Sequence, residues 1–308
     1  MSKQITRRKF IKVTGAGAVA SLALPSFRSF AKANSQQVEL AVVQGKPVEA
    51  VIRAFDLIGG IEKYVNPNDM VLLKPNVSFP NPKNWGSTTN PEVVKAVAQL
   101  VIEAGASRVI VADNTMREGM ICFERTGLIN ELKEIEQVKV IPLQQESYFA
   151  EIEVPNGTAL KTVKIAKLIQ RCNVLINLPC AKSHAATDVS FGLKNLMGLI
   201  WDREYFHQGT DLHTAIAELA TVVRPQLTIL DATRALVTGG PTGPGKIQEL
   251  NTIIASTDPL AVDAYTASLV NWNNRSTDAQ SIKHLAYAAK IGVGEIDLDK
   301  IKIKKETV

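Results

Sequence analysis

Short β-branched runs alternate along this chain with longer stretches whose apolar residues recur every three to four positions. A chain of that pattern folds as a layered α/β domain around a mostly parallel sheet flanked by helices, because parallel neighbours need a helical crossover between them. The pattern predicts strands over 38–43, 70–74, 108–112, 138–142, 173–178, 227–231 and 252–256. A helix is expected over 47–64, with Val48, Val51, Ile52, Phe55 and Ile58 on its buried face. A second begins at Asn90-Pro91-Glu92, where a capping side chain precedes a proline, and ends at Gly105. Further helices are expected over 214–223 and 259–270, the latter capped by Asp258, with Asp263 in its first turn beside the helix dipole.

The amino terminus has a separate purpose. Arg7-Arg8 precede Lys9-Phe10-Ile11 at the spacing of a twin-arginine export signal, a mildly apolar stretch covers 13–25, and Ala31-Lys32-Ala33 offers a small-x-small cleavage motif. The expected organisation is a signal peptide over 1–33, followed by a single α/β domain over 34–308. This implies the twin-arginine translocase as a partner during export and a periplasmic location for the mature protein. The alternatives are a cytosolic basic arm or an uncleaved anchor; the apolar stretch is short for a membrane span.

The signal also explains the charge. Removing its seven basic residues from the 35 in the chain leaves 28 against 30 acidic residues, a net of −2. With no basic run interleaved with aromatics, nucleic-acid binding is excluded as a function class. No later apolar run is long enough for a stable membrane span in the mature form. Cys122, Cys172 and Cys180 are too few for a disulfide framework, and the strand expected between the last two would hold them apart. They read as core thiols.

Ligands of such sheets collect outside the carboxyl ends of the strands. Four predicted strands run into polar residues there: Lys74-Pro75-Asn76, Asp113-Asn114, the stretch Cys180-Ala181-Lys182-Ser183-His184, and Asp231. The last strand but one leads on to Gly192-Leu193-Lys194-Asn195, so this region is richer in donors than a core connection needs. The expected site binds a small anionic molecule through Lys74, Asn76, Asp113, Lys194 and Asn195, with His184, Asp231 and Lys182 as catalytic groups. Taken singly, Lys182 and Lys194 would be solvated and His184 would bond a backbone carbonyl. A divalent transition metal on His184, His213 and Asp231 is a further expectation, because nitrogen and oxygen donors suit zinc, iron, nickel or manganese. His207 and His213 are six apart, so they do not share a helix face, which leaves a loop-borne pair as the open alternative.

The loop from Gly240 to Lys246 fits G-x-x-x-x-G-K, but Ile247 stands where a magnesium-binding hydroxyl is required, and two prolines remove amide donors. It reads as a flexible rim or lid over the strand ends.

Lys74-Pro75-Asn76, Thr88-Thr89-Asn90-Pro91-Glu92, Asn177-Leu178-Pro179-x-x-Lys182-x-His184, Gly192-Leu193-Lys194-Asn195-Leu196-Met197-Gly198, Asp231, Gly239-Gly240-Pro241-Thr242-Gly243 and 256–264 together resemble the domain-of-unknown-function 362 family. That resemblance covers essentially the whole mature chain and implies no particular activity. Some members join the domain to a ferredoxin-type segment with clustered cysteines. This sequence has no C-x-x-C run, so no iron–sulfur cluster is expected. The functional expectation is an enzyme or enzyme-like anion binder, the alternative a non-catalytic binding, cofactor-carrier or assembly protein for another exported enzyme.

Overall fold

In the computed structural model, residues 37–308 are described; the expected signal peptide over 1–33 lies outside them. The strands are β1 (Glu39–Gln44), β2 (Met70–Pro75), β3 (Arg108–Asp113), β4 (Val138–Pro142), β5 (Phe149–Glu153), β6 (Thr162–Ala166), β7 (Val174–Leu178), β8 (Cys180–His184), β9 (Asp188–Ser190), β10 (Leu227–Leu236), β11 (Ile247–Ser256) and β12 (Lys302–Thr307). The α-helices are α1 (Pro47–Leu57), α2 (Pro91–Glu103), α3 (Gly119–Arg125), α4 (Leu128–Leu132), α5 (Leu168–Arg171), α6 (Gly192–Asn195), α7 (Leu212–Val222), α8 (Pro259–Ala267) and α9 (Lys283–Lys290).

The main sheet has the order β12-β1-β11-β10-β7-β2-β3-β4, and along this path only β11 runs against the rest. Alternation along β2 shows why the sheet is buried on both faces: Val71 and Leu73 enter one apolar core, Leu72 the other. One core lies under α1 and α2, the other under α7, α8 and α9.

From β2 the chain steps through β3 to β4 at one edge, then returns at β7 to the opposite side of β2. The order therefore reverses between β2 and β7. Crossovers lead away from that point in both directions and leave a crevice outside the carboxyl ends of these two strands.

Helix boundaries follow local chemistry. Asn90 caps α2, accepting from the Glu92 amide at 3.3 Å, and Gly105 ends it at φ +98°, where the Ala106 amide reaches back to the Val101 carbonyl. Helix α1 is shorter than its periodicity suggests, because Gly59 and Gly60 take positive φ and turn the chain at once. Asp258 caps α8 as expected, through the Leu260 and Ala261 amides at 2.9 and 3.0 Å. Strand β10 runs five residues beyond its predicted end, because β11 pairs with it antiparallel across an irregularity between Ala232 and Arg234. No helix among the described residues is long and apolar enough to cross a membrane. The three cysteines are free.

Candidate functional site: a buried cationic cleft at the reversal of strand order

Lys74 and Asn177 are register partners on neighbouring strands β2 and β7, and both side chains are fully buried. They converge on Asn195 of α6. Its Oδ1 accepts from Lys74 Nζ at 3.1 Å and from Asn76 Nδ2 at 3.0 Å, while its Nδ2 donates to the Lys74 carbonyl at 3.1 Å and to Asn177 Oδ1 at 2.8 Å. One amide thus spends its full hydrogen-bonding capacity locking α6 to the carboxyl end of β2. Asn177 Nδ2 adds a bond to the Gly192 carbonyl at 2.9 Å.

Beneath this lock lies an ion pair. Lys74 Nζ is 3.0 Å from Asp113 Oδ1, which also meets the Arg203 guanidinium at 3.4 Å, and Asp113 Oδ2 accepts from the Val77 amide at 2.8 Å. Burial pushes the Lys74 ammonium down to about 8, although Asp113 opposes the shift. Gly198 packs directly over Lys74 and Asp113, where an added Cβ would overlap both.

On β8, residues two apart share a face, which presents Lys182 and His184 together. Lys182 Nζ donates to Asn76 Oδ1 at 3.0 Å and to the Ser87 carbonyl at 2.6 Å. With Lys194, Arg203, His207, Ser190, Phe79, Met116, Met197 and Pro241, they line a cleft of about 120 Å³. No carboxylate is among the lining residues. Lys194 is buried, and the contact made by its ammonium is with the Met197 sulfur at 3.6 Å. Burial, then Arg203 and Lys182, hold it down at about 7. His184 is pushed to about 2 by burial, then by the fields of Lys194 and Lys182, and His207 is lowered chiefly by burial.

The structure brings together Lys74, Asn76, Asp113, Lys182, His184, Lys194 and Asn195 at one end of the sheet. Lys182 and Lys194 are buried instead of solvated, and His184 Nδ1 accepts from the Ala186 amide at 3.1 Å instead of donating to a carbonyl. Lys74 and Asp113 form the floor and do not line the cleft.

Asp231 departs from expectation. Because β10 continues past it, this residue does not end a strand, and its oxygens are committed to the Asn90 amide at 2.7 Å and to the Thr233 amide and hydroxyl at 2.9 and 2.6 Å. It braces the start of α2 and is absent from the cleft lining. His213 also lies elsewhere, its ring stacked on His284 of α9 with centroids 5.9 Å apart. His184, His213 and Asp231 are not assembled as a ligand set, and among the described residues no group of three or more His, Cys, Asp or Glu is arranged to hold a metal ion.

Asp263 does not serve its own helix dipole. Its carboxylate reaches across to the amides of Gly192 and Leu193, at 2.7 and 2.9 Å, and so holds the start of α6. Arg203 is a lining residue that sequence reasoning missed, whereas His207, considered above only beside His213, lines the cleft without it; the buried anchor of their segment is Phe206. The glycine-proline loop forms a rim as expected, with Pro241 in the lining, but it is tied down: the Gly240 amide donates to Ser183 Oγ at 3.1 Å, and Asn81 Nδ2 to the Thr242 carbonyl at 2.7 Å. A strand, β11, follows Lys246, where a nucleotide loop would lead into a helix.

The fold and the cleft define an α/β protein of doubly wound type with a cationic pocket at the reversal of strand order. The chain belongs to the family described as Domain of unknown function (DUF362), whose sequence profile matches residues 71–268. A thylakoid-associated protein of Synechocystis sp. is 28% identical over 243 residues, covering 77% of this chain and 72% of that protein. Two solved structures share 12% identity with it: a Thermotoga maritima protein with a TM-score of 0.45, covering 70% of this chain and 57% of its own, and the lactate racemase apoprotein of Thermoanaerobacterium thermosaccharolyticum with a TM-score of 0.47, covering 74% and 56%. The chain thus spans little more than half the length of either structure.

Proposed function

We propose that the protein binds a small anionic molecule in the cleft formed by Lys182, Lys194 and Arg203, and that it does so after export by the twin-arginine route. The observation that carries the binding reading is the Lys194 ammonium, buried with only a thioether sulfur against it. A desolvated cation without a carboxylate is costly, and an incoming anion supplies the missing partner. Lys74 and Asp113 neutralise each other below, so the uncompensated charge lies on the cleft side. The export reading rests on Arg7-Arg8 and the small-x-small motif ending at Ala33.

Isothermal titration with inorganic phosphate, malonate and pyruvate tests the binding. At least one of these anions is expected to bind, with binding lost in Lys194→Met and in Lys182→Met. A control at exposed Lys133, the C-terminal cap of α4, should behave as wild type. Absence of binding to all three would overturn the reading. Fractionation of cells carrying the full chain or an Arg7→Lys, Arg8→Lys variant tests export, the variant being retained inside.

A further inference from the structure

The two histidines that line the cleft are held in opposite tautomers by their backbone contacts. His184 Nδ1 accepts from the Ala186 N–H at 3.1 Å, so in the neutral ring the proton is on Nε2. His207 Nδ1 lies 2.9 Å from the Arg203 carbonyl, and a carbonyl oxygen only accepts; here the proton is on Nδ1, and Nε2 is a bare lone pair. Neither Nε2 has a protein partner among the described residues.

We propose that His184 and His207 act as a proton-transfer pair on the bound anion, His207 Nε2 as acceptor and His184 Nε2–H as donor. The proposal rests on the anion reading above and adds a reaction class to it: transfer of a proton at a carbon or oxygen beside the anionic group. Burial together with the neighbouring cations keeps both rings neutral near pH 7, the condition under which one can accept while the other donates. The positive charges serve the same chemistry, since a carbanion or enolate developing next to a carboxylate adds negative charge to a pocket already short of it.

For a 2-oxo acid such as pyruvate the step balances as follows. The carboxylate meets Lys194 and Arg203, and His184 Nε2–H bonds the carbonyl oxygen. The C3–H bond breaks, its proton passes to His207 Nε2, and its electron pair forms the C2–C3 double bond while the carbonyl pair moves onto oxygen as an enolate, which keeps the hydrogen bond from His184 Nε2–H and faces Lys194 and Arg203. Return of a solvent deuteron by the reverse path exchanges the methyl hydrogens without net reaction. Pyruvate is the probe; the natural ligand needs only the same arrangement of an anionic group beside an ionisable C–H or O–H.

Multiple-bond ¹H–¹⁵N spectra of the full protein labelled in histidine, assigned with His207→Gln, read the tautomers directly near neutral pH. His184 is expected as the Nε2–H form and His207 as the Nδ1–H form; an identical tautomer in both, or an imidazolium at either, overturns the pair. Proton NMR in D₂O then follows the pyruvate methyl signal. Wild type should exchange it faster than buffer, and His207→Gln, a change at an exposed side chain, should lose the excess by about 100-fold or more while still binding pyruvate. Bound pyruvate without exchange, or exchange indifferent to His207, refutes the pair and leaves the anion site standing. Failure of all anions to bind removes both.

Discussion

Asp263 and Gly192, 71 positions apart in the chain, are joined by a hydrogen bond of 2.7 Å that holds α8 to the first turn of α6. The same carboxylate takes the Leu193 amide, so two donors at the head of the segment carrying Lys194 and Asn195 depend on one side chain. Substituting Asp263→Ala leaves both amides buried without acceptors. The expected cost is about 2–5 kcal/mol by denaturant unfolding, together with loss of anion binding.

Asn195→Ala should be comparably severe, because that amide accepts two hydrogen bonds, from Lys74 and Asn76, and donates two, to the Lys74 carbonyl and Asn177. A loss of about 2–4 kcal/mol is expected. Gly198→Ala belongs with it, since a methyl group there displaces Lys74 or Asp113; a near-normal unfolding midpoint would contradict this packing.

Lys194→Met is expected to separate stability from binding. It removes an ammonium that has no carboxylate to meet and fits a thioether against Met197, so the anion-free protein gains about 1–3 kcal/mol while anion binding disappears. Calorimetric melting with and without phosphate measures both effects; destabilisation of the anion-free protein would count against the uncompensated charge.

Stability should rise with pH between about 7 and 9. In the unfolded chain lysines hold their protons to near 10.5, whereas in the folded protein Lys74 titrates at about 8 and Lys194 at about 7. Between about 7 and 9 the unfolded state therefore binds more protons, and raising the pH favours the fold; above 9 the buried Cys172 and Cys180 thiols, pushed up to about 11, oppose the trend. A bound anion raises the folded values and flattens the slope. Thermal midpoints from pH 7 to 9, with and without saturating phosphate, should show the flatter slope with phosphate and the two curves approaching each other as pH rises.

Acid unfolding has a second source at His284. Both of its buried ring nitrogens lack partners, and burial holds it neutral down to about 3, while His184 stays neutral down to about 2. Each contributes stability that is present above 6.5, the ordinary histidine value, and lost as pH falls toward the folded values. His284→Leu should leave stability near pH 7 unchanged or raised and should make the protein more resistant between pH 6 and 4.

By itself the sequence determined the α/β layering, the positions of the main strands, the caps at Asn90 and Asp258, and the placing of Lys74, Asn76, Lys182 and His184 at or just past strand ends, with Lys194 and Asn195 in the segment that follows. These are consequences of local periodicity and of short-range hydrogen bonding, which neighbouring residues carry with them. Only the tertiary structure decided what those groups face. Asp231 reads as a strand-end acid until the pairing of β10 with β11 extends the strand past it. Lys74 reads as a ligand contact until Asp113 arrives beneath it from the next strand. Arg203 reaches the cleft through its contact with Asp113, His207 enters it without His213, and Asp263 finds its amides in a segment 71 residues away. Burial and electrostatic partnership are properties of distance in space, and the spacing of residues along a chain does not carry them.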